Sequence, residues 1–258
     1  MSDDHPRRPE GLEEIYALID KSRADAAKAA QAKFHNEIEA AISAIASISS
    51  IAGARVLADS RIASANVLIN AELAATRLLA DAEMQASRAA SEVLIKPREV
   101  VQASLLEMGR HTSLQLATSA QQSVEKIQQD AEAAILVLRE TSAIAIREIQ
   151  TLAVTVAEQT KHDAALAAEK LKEYRKTART VEGATSEGEE AAKTVIKAAE
   201  DASIQLQIAI RNTMAQITRI ADEACSFVRE AALAAEKKIK DSLEKALIRL
   251  KDALKVHF

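Results

Sequence analysis

The chain has little with which to fill a globular core and little with which to turn. Tryptophan is absent, and two tyrosines and three phenylalanines are the only aromatics in 258 residues. The large rings that dominate buried area in compact domains are therefore missing, which argues against a conventional globular core. Five glycines and three prolines leave few helix breakers. One cysteine, Cys225, rules out an intrachain disulfide, and its place beside an apolar stripe (below) predicts a buried small apolar residue. Charge of one sign is not in excess: 34 Lys and Arg against 38 Asp and Glu give 34 − 38 = −4. Without a domain-scale basic surface to release counterions, nucleic acid is not an expected partner. Long hydrophobic runs are missing too. The longest stretch without a charge, Ala40 to Ala54, is fifteen residues with four serines, too short and too polar to span a bilayer. The opening Met1-Ser2-Asp3-Asp4-His5-Pro6-Arg7-Arg8-Pro9 lacks the apolar core of a secretory signal, so a soluble, cytoplasmic protein is expected.

What is present is alanine, 55 residues of it, together with the other strong helix formers Leu, Glu, Lys, Arg and Gln. Alanine buries little area per residue but lets helix axes approach closely, so long helices packed side by side are the expected solution. The few breakers divide the chain. Residues 1–10 read as a disordered N-terminal tail, and Pro6, Pro9 and Gly11 mark the entry to the first helix. A first long helix follows over 11–96. Pro97 cannot donate a helical hydrogen bond and restrains Lys96, and because no glycine or turn cluster accompanies it a kink is preferred to a hairpin. A second helix covers 97–182. Gly183 suits a C-terminal cap, and Ser186 with Glu189 has capping-box spacing, so 183–188 reads as a loop and 189–258 as the third helix. At 1.5 Å per residue the longest helix would reach about 130 Å.

The main positive signal is an eleven-residue recurrence. In the first helix Ile51, Ile62, Leu73, Met84 and Ile95 stand eleven apart, and Ile45, Val56, Val67 and Leu78 form a second line. The second helix carries Leu105, Leu116, Ile127, Leu138, Ile149 and Leu171, with Thr160 as the exception. The third carries Val195, Leu206, Ile217, Val228, Ile239 and Leu250 without a break. Eleven residues in three turns is 3.67 per turn, which keeps packed helices nearly straight or mildly right-handed. The phase slips between segments fall at the breakers. The fold class is therefore all-α: long alanine-rich helices with hendecad repeats, as a coiled coil or elongated helical bundle.

Faces differ between the helices. The first carries Ile62, Ala65, Ile69 and Leu73 on one side and Val67, Leu68, Leu78 and Leu79 toward the other, so it needs cover on both. The second is apolar almost all round near Ala133–Leu138 and Ile144–Ile149. The third has one stripe, including Ala199, Ala202, Ile210, Thr213, Ala221, Ala224, Ala232 and Ala235, with Cys225 at its border in line with Met214 and Leu247. Helices one and two are thus expected inside a bundle or homo-oligomer, with helix three nearer solvent. The expected oligomer seam is Ile51, Ile62, Leu73, Met84, Leu105, Leu116, Ile127, Leu138, Ile149, Val195, Leu206, Ile217, Val228, Ile239 and Leu250.

Candidate chemistry is thin. Glu158 with His162, and His35 with Glu39, share a helix face at i,i+4, but paired Glu-x-x-His elements of a di-iron bundle are missing and surface pairing explains both. No glycine-rich phosphate loop, nucleophile elbow or Cys-His pair occurs, so neither enzymatic activity, cofactor, metal nor small-molecule substrate is expected. One segment suggests a membrane face: Lys237, Lys238, Lys240, Lys245, Arg249, Lys251 and Lys255 lie behind the apolar line Ile239, Leu243, Leu247, Leu250 and Leu254, before Val256-His257-Phe258. That outline fits a basic amphipathic helix on an anionic membrane, and equally a stripe packed in a bundle with cations at the helix C-terminus.

In class, the alanine-rich eleven-residue pattern resembles hendecad coiled coils, and more loosely late embryogenesis abundant proteins and the lipid-coating helices of apolipoproteins and synucleins. Its many Ile, Leu and Val residues set it apart from the desiccation proteins and imply a folded chain, and it lacks the Lys-Thr-Lys-Glu-Gly-Val signature of synucleins. The reading is a self-associating structural rod, scaffold or filament subunit, with a lipid-surface or stress-protective helix as the alternative.

Overall fold

A computed structural model describes residues 12–95, 98–177 and 185–255. The chain is entirely helical there: α1 (Leu12–Ile95), α2 (Arg98–Thr177) and α3 (Thr185–Lys255). Three long helices pack as a bundle. The expected tail 1–10, the 178–184 stretch around Gly183, Pro97 itself and the last three residues lie outside the described residues.

Alanine content alone does not explain helices this long, since serine and threonine are frequent within them. Their hydroxyls return to the carbonyl four residues back, as in Thr76 to Glu72, Ser87 to Glu83, Thr118 to Leu114, Ser142 to Leu138 and Thr194 to Glu190. Each such bond satisfies the side chain without taking a donor from the helical ladder, so the helices continue through these residues.

The helices contribute to two compact units, Met1–Ile51 with Ile144–Ile217 and Ala52–Ala143 with Thr218–Phe258. In the first, Ala27 and Phe34 of α1, Ala164, Ala168 and Leu171 of α2, and Ala192, Val195 and Ala199 of α3 form one apolar cluster. Lys33 bridges α1 to Asp163 of α2 at 2.6 Å. Gln150 meets Met214, while Gly188 lies near the Leu171 carbonyl, so α2 and α3 run antiparallel.

In the second unit the core runs through Val56, Val67, Ala71, Leu78 and Ala82 of α1, Leu116, Ile127 and Leu138 of α2, and Val228, Ala235, Ile239 and Leu250 of α3. Large residues on one line are flanked by alanine on the next, and completely buried alanines such as Ala71, Ala82, Ala235 and Ala246 bring the helices close. The pairs Glu72–Lys238 and Glu83–Arg249 have the same sequence offset of 166, which makes α1 and α3 parallel. Gln128–Glu236 and Gly109–Leu254 make α2 antiparallel to α3.

Two expectations are corrected here. Ala89 clusters with Val101 and Leu105, residues that a continuous helix would set roughly 18–24 Å away. α2 thus runs back along α1, antiparallel to it, whereas the expected kink would have continued its direction. α3 also starts at Thr185 rather than 189, inside the expected loop 183–188. Gly188 is a helical residue there, and a Cβ on it would lie 3.5 Å from the Leu171 carbonyl oxygen. That is ordinary van der Waals contact, so Gly188 is neither a turn residue nor required by close packing.

Candidate interaction surfaces

The eleven-residue lines divide into interior and exterior sets. Leu105, Leu116, Ile127, Leu138 and Ile149 of α2 and Val195, Leu206, Ile217, Val228, Ile239 and Leu250 of α3 are all buried. For these residues the seam expected between chains is filled by the chain's own helices. α3 is accordingly as deep in the core as its neighbours, not nearer solvent. A helix in a three-helix bundle has one face in and one out, so a single apolar stripe is all that it needs to fill its share of the core.

In α1 the outcome is the reverse. Ile51, Ile62, Leu73 and Met84 are 67, 60, 52 and 46% exposed, while the parallel line Ile45, Val56, Val67 and Leu78 is buried. Either line alone makes an acceptable core face, which is why periodicity does not choose between them. Phe34, one step of eleven before Ile45, is the signal that was missed: it is the bulkiest fully buried side chain of α1 and extends the interior line upstream.

Within the second unit the outer line belongs to a continuous stripe. Ala54, Ala58, Ile62, Ala65, Ile69, Leu73, Thr76, Ala80 and Met84 are all exposed and follow a four-four-three spacing, the arrangement that an eleven-residue period imposes on one helix face. None is charged, and the one hydroxyl is internally bonded to the Glu72 carbonyl. Ion pairs border it: Arg55 with Asp59 on one side, and Glu72 with Lys238 and Glu83 with Arg249 on the other. The Lys238 ammonium, by hydrogen bonding, holds the Glu72 carboxyl below its ordinary range.

α1 also has an 18-residue window of mean hydropathy 1.6 with at most two charged residues, a third of it buried, long and apolar enough to cross a membrane by length and composition. This window tolerates two charges and so is longer than the fifteen-residue charge-free run Ala40 to Ala54. The window's apolarity is compatible with the two faces of α1 added together, one turned to the core and one to the outside.

The basic C-terminal segment is placed differently. Ile239 and Leu250 are buried, and Leu243, Leu247 and Leu254 pack against the core, so the apolar face of the expected membrane helix is taken up by the bundle. Of its cations, Lys238 and Arg249 pair with α1 and Lys240 with Glu236, while Lys237, Lys245, Lys251 and Lys255 are exposed. Beside it an open groove of about 770 Å³ on the surface of α2 and α3 is lined by Leu106, Gly109, Leu114, Leu247 and Leu254 with Arg110, Lys251 and Lys255 at hand.

Other candidates sit as ordinary surface or core groups. His35 pairs with Glu39 at 3.1 Å on an exposed face. Among the described residues no three His, Cys, Asp or Glu side chains converge as a metal site would require. Cys225 is buried in the core of the second unit.

No protein-family model matches the chain, and no curated protein does. Among solved structures it is similar to a computationally designed three-helix bundle, with TM-score 0.58 and 15% identity over 94% of this chain and 99% of that one. At that identity the likeness establishes the fold.

Proposed function

We propose that this protein is a structural subunit, a helical bundle that self-associates to serve as rod, scaffold or filament component. The observation that carries the reading is that α1 has two apolar faces and the bundle covers one, leaving Ile62, Ile69, Leu73 and Met84 in water. Apolar surface in a contiguous stripe is an association signal rather than scattered surface hydrophobicity. The same reading sets the protein in the cytoplasm, working without cofactor, nucleic acid or small-molecule substrate. Analytical ultracentrifugation of the full chain over a range of concentrations tests it: average mass should rise with concentration, and a mass of one chain throughout overturns it.

A second reading, a lipid-surface or stress-protective helical protein, is favoured by the apolar window of α1. It requires the chain to float with anionic vesicles and its helicity to rise steeply on adding them. A chain fully helical without lipid and absent from the floating fraction excludes it.

A further inference from the structure

We propose that the outer face of α1 between Ala54 and Met84 is the seam on which a second copy of the chain docks through its own α1 face, the two helices running parallel. The proposal rests on the self-association reading above and names its surface and orientation.

The period restricts the occupant first. A stripe of 3.67 residues per turn stays in contact only with a helix of matching period, because a heptad helix at 3.5 would wind off it by roughly 140° over thirty residues. α3 uses the same spacing inside the bundle, in Ile217, Ala221, Ala224 and Val228, so the chain demonstrably packs helices in this geometry. An identical stripe on a second copy meets the requirement along its whole length.

Size is adequate as well. The stripe is about 45 Å long, and covering it with a helix 10–12 Å across buries on the order of 600 Å² per copy, roughly 1,200 Å² in total. That lies at the lower end of the standard range for specific interfaces, about 1,200–2,000 Å². Alternation of Ile, Leu and Met with Ala supplies large side chains and the gaps to receive them.

Charge selects the orientation. One flank of the stripe carries Arg55, Asn66, Arg77 and Arg88, and the other Arg61, Glu72 and Glu83, all exposed. In a parallel two-fold pair opposite flanks face each other, whereas an antiparallel pair sets like flanks together. Parallel docking brings Arg77 and Arg88 of one copy to Glu72 and Glu83 of the other, and only the Arg61 step lacks an opposite charge. Glu72 and Glu83 are already paired within the chain, yet their side chains remain 63 and 65% exposed and can accept a second donor.

The test uses the full chain. Ile62→Glu with Ile69→Glu lies on the exposed face, so helicity by circular dichroism should be unchanged while sedimentation shows association weakened by at least ~tenfold, through burial of charge in an apolar seam. Ala54→Cys, far from the centre of the stripe, should form a disulfide-linked dimer on mild oxidation, since parallel copies bring the two positions together; buried Cys225 is the internal control. If wild type is a single chain at every concentration, the self-association reading fails and this proposal with it. If wild type associates but the double variant associates equally, the face is wrong and the broader reading survives. Loss of association without cross-linking of Ala54→Cys overturns the parallel orientation alone. An unchanged mass together with lost flotation on anionic vesicles assigns the stripe to lipid and overturns the proposal.

Discussion

Thr160 is the point where the eleven-residue line of α2 breaks, and the structure gives the break a measurable consequence. Its side chain is buried between the levels of Ile149 and Leu171, and its Oγ1, like Ser64 Oγ, is without a hydrogen-bond partner among the described residues. A buried hydroxyl left unsatisfied costs about 1–3 kcal/mol, and valine has nearly the same shape without that cost. Thr160→Val is expected to stabilise the protein by about 1 kcal/mol, seen as a higher midpoint in urea unfolding; a lower midpoint would show the hydroxyl to be satisfied. The interior and exterior lines make a second contrast at this scale. Leu138→Ala, in the core, should cost about 2–4 kcal/mol, whereas Leu73→Ala on the outer stripe should change the stability of a single chain by less than ~1 kcal/mol. Equal losses measured below the association range would mean that the outer stripe is covered within one chain.

Helix against helix, Gly109 of α2 faces Leu254 of α3. A Cβ there would come within 2.6 Å of Leu254 Cδ1, the far end of a flexible side chain that can move. Glycine inside a helix costs about 1 kcal/mol relative to alanine, so Gly109→Ala sets that gain against displacement of Leu254. The two should nearly cancel in the wild-type background. In a Leu254→Ala background the clash is gone, and Gly109→Ala should then stabilise by about 1 kcal/mol; a double-mutant cycle by chemical unfolding measures the coupling. No coupling would mean that the glycine has another reason to be there.

For the molecule as a whole, ion pairs between and along helices contribute to the response to pH. The Lys33 ammonium, by hydrogen bonding, holds the Asp163 carboxyl below its ordinary value, Lys238 does the same to Glu72 and Lys240 to Glu236. A depressed carboxyl contributes stability that is present above its unfolded-state pKa, near ~4, and lost as pH falls through the folded value. Lys33 is shifted upward, chiefly by the hydrogen bond to Asp163, so its contribution is present below its ordinary 10.5 and lost as pH rises through the folded value. Thermal unfolding should therefore be nearly constant from about pH 6 to 9 and fall below about pH 4. Asp163→Asn should narrow the difference between pH 7 and pH 3; an unchanged difference would show the Lys33 pair to be dispensable.

The sequence by itself determined the helices, their eleven-residue period and the division into three, because propensity and hydrophobic repeat act within a segment and do not depend on what lies across from it. Burial of Cys225 followed from the same pattern, whereas the α2 and α3 lines, expected as a seam between chains, are filled within one chain. Three matters were decided only by tertiary packing. Pro97 is compatible with a kink or a reversal, and the clustering of Ala89 with Leu105 settles the direction. Gly188 suits a loop by itself, yet it is helical within α3, with the Leu171 carbonyl of α2 nearby. α1 offers two apolar lines of equal period, and a three-helix bundle can enclose only one face of each member, so which line became core and which became surface depended on where α2 and α3 settled.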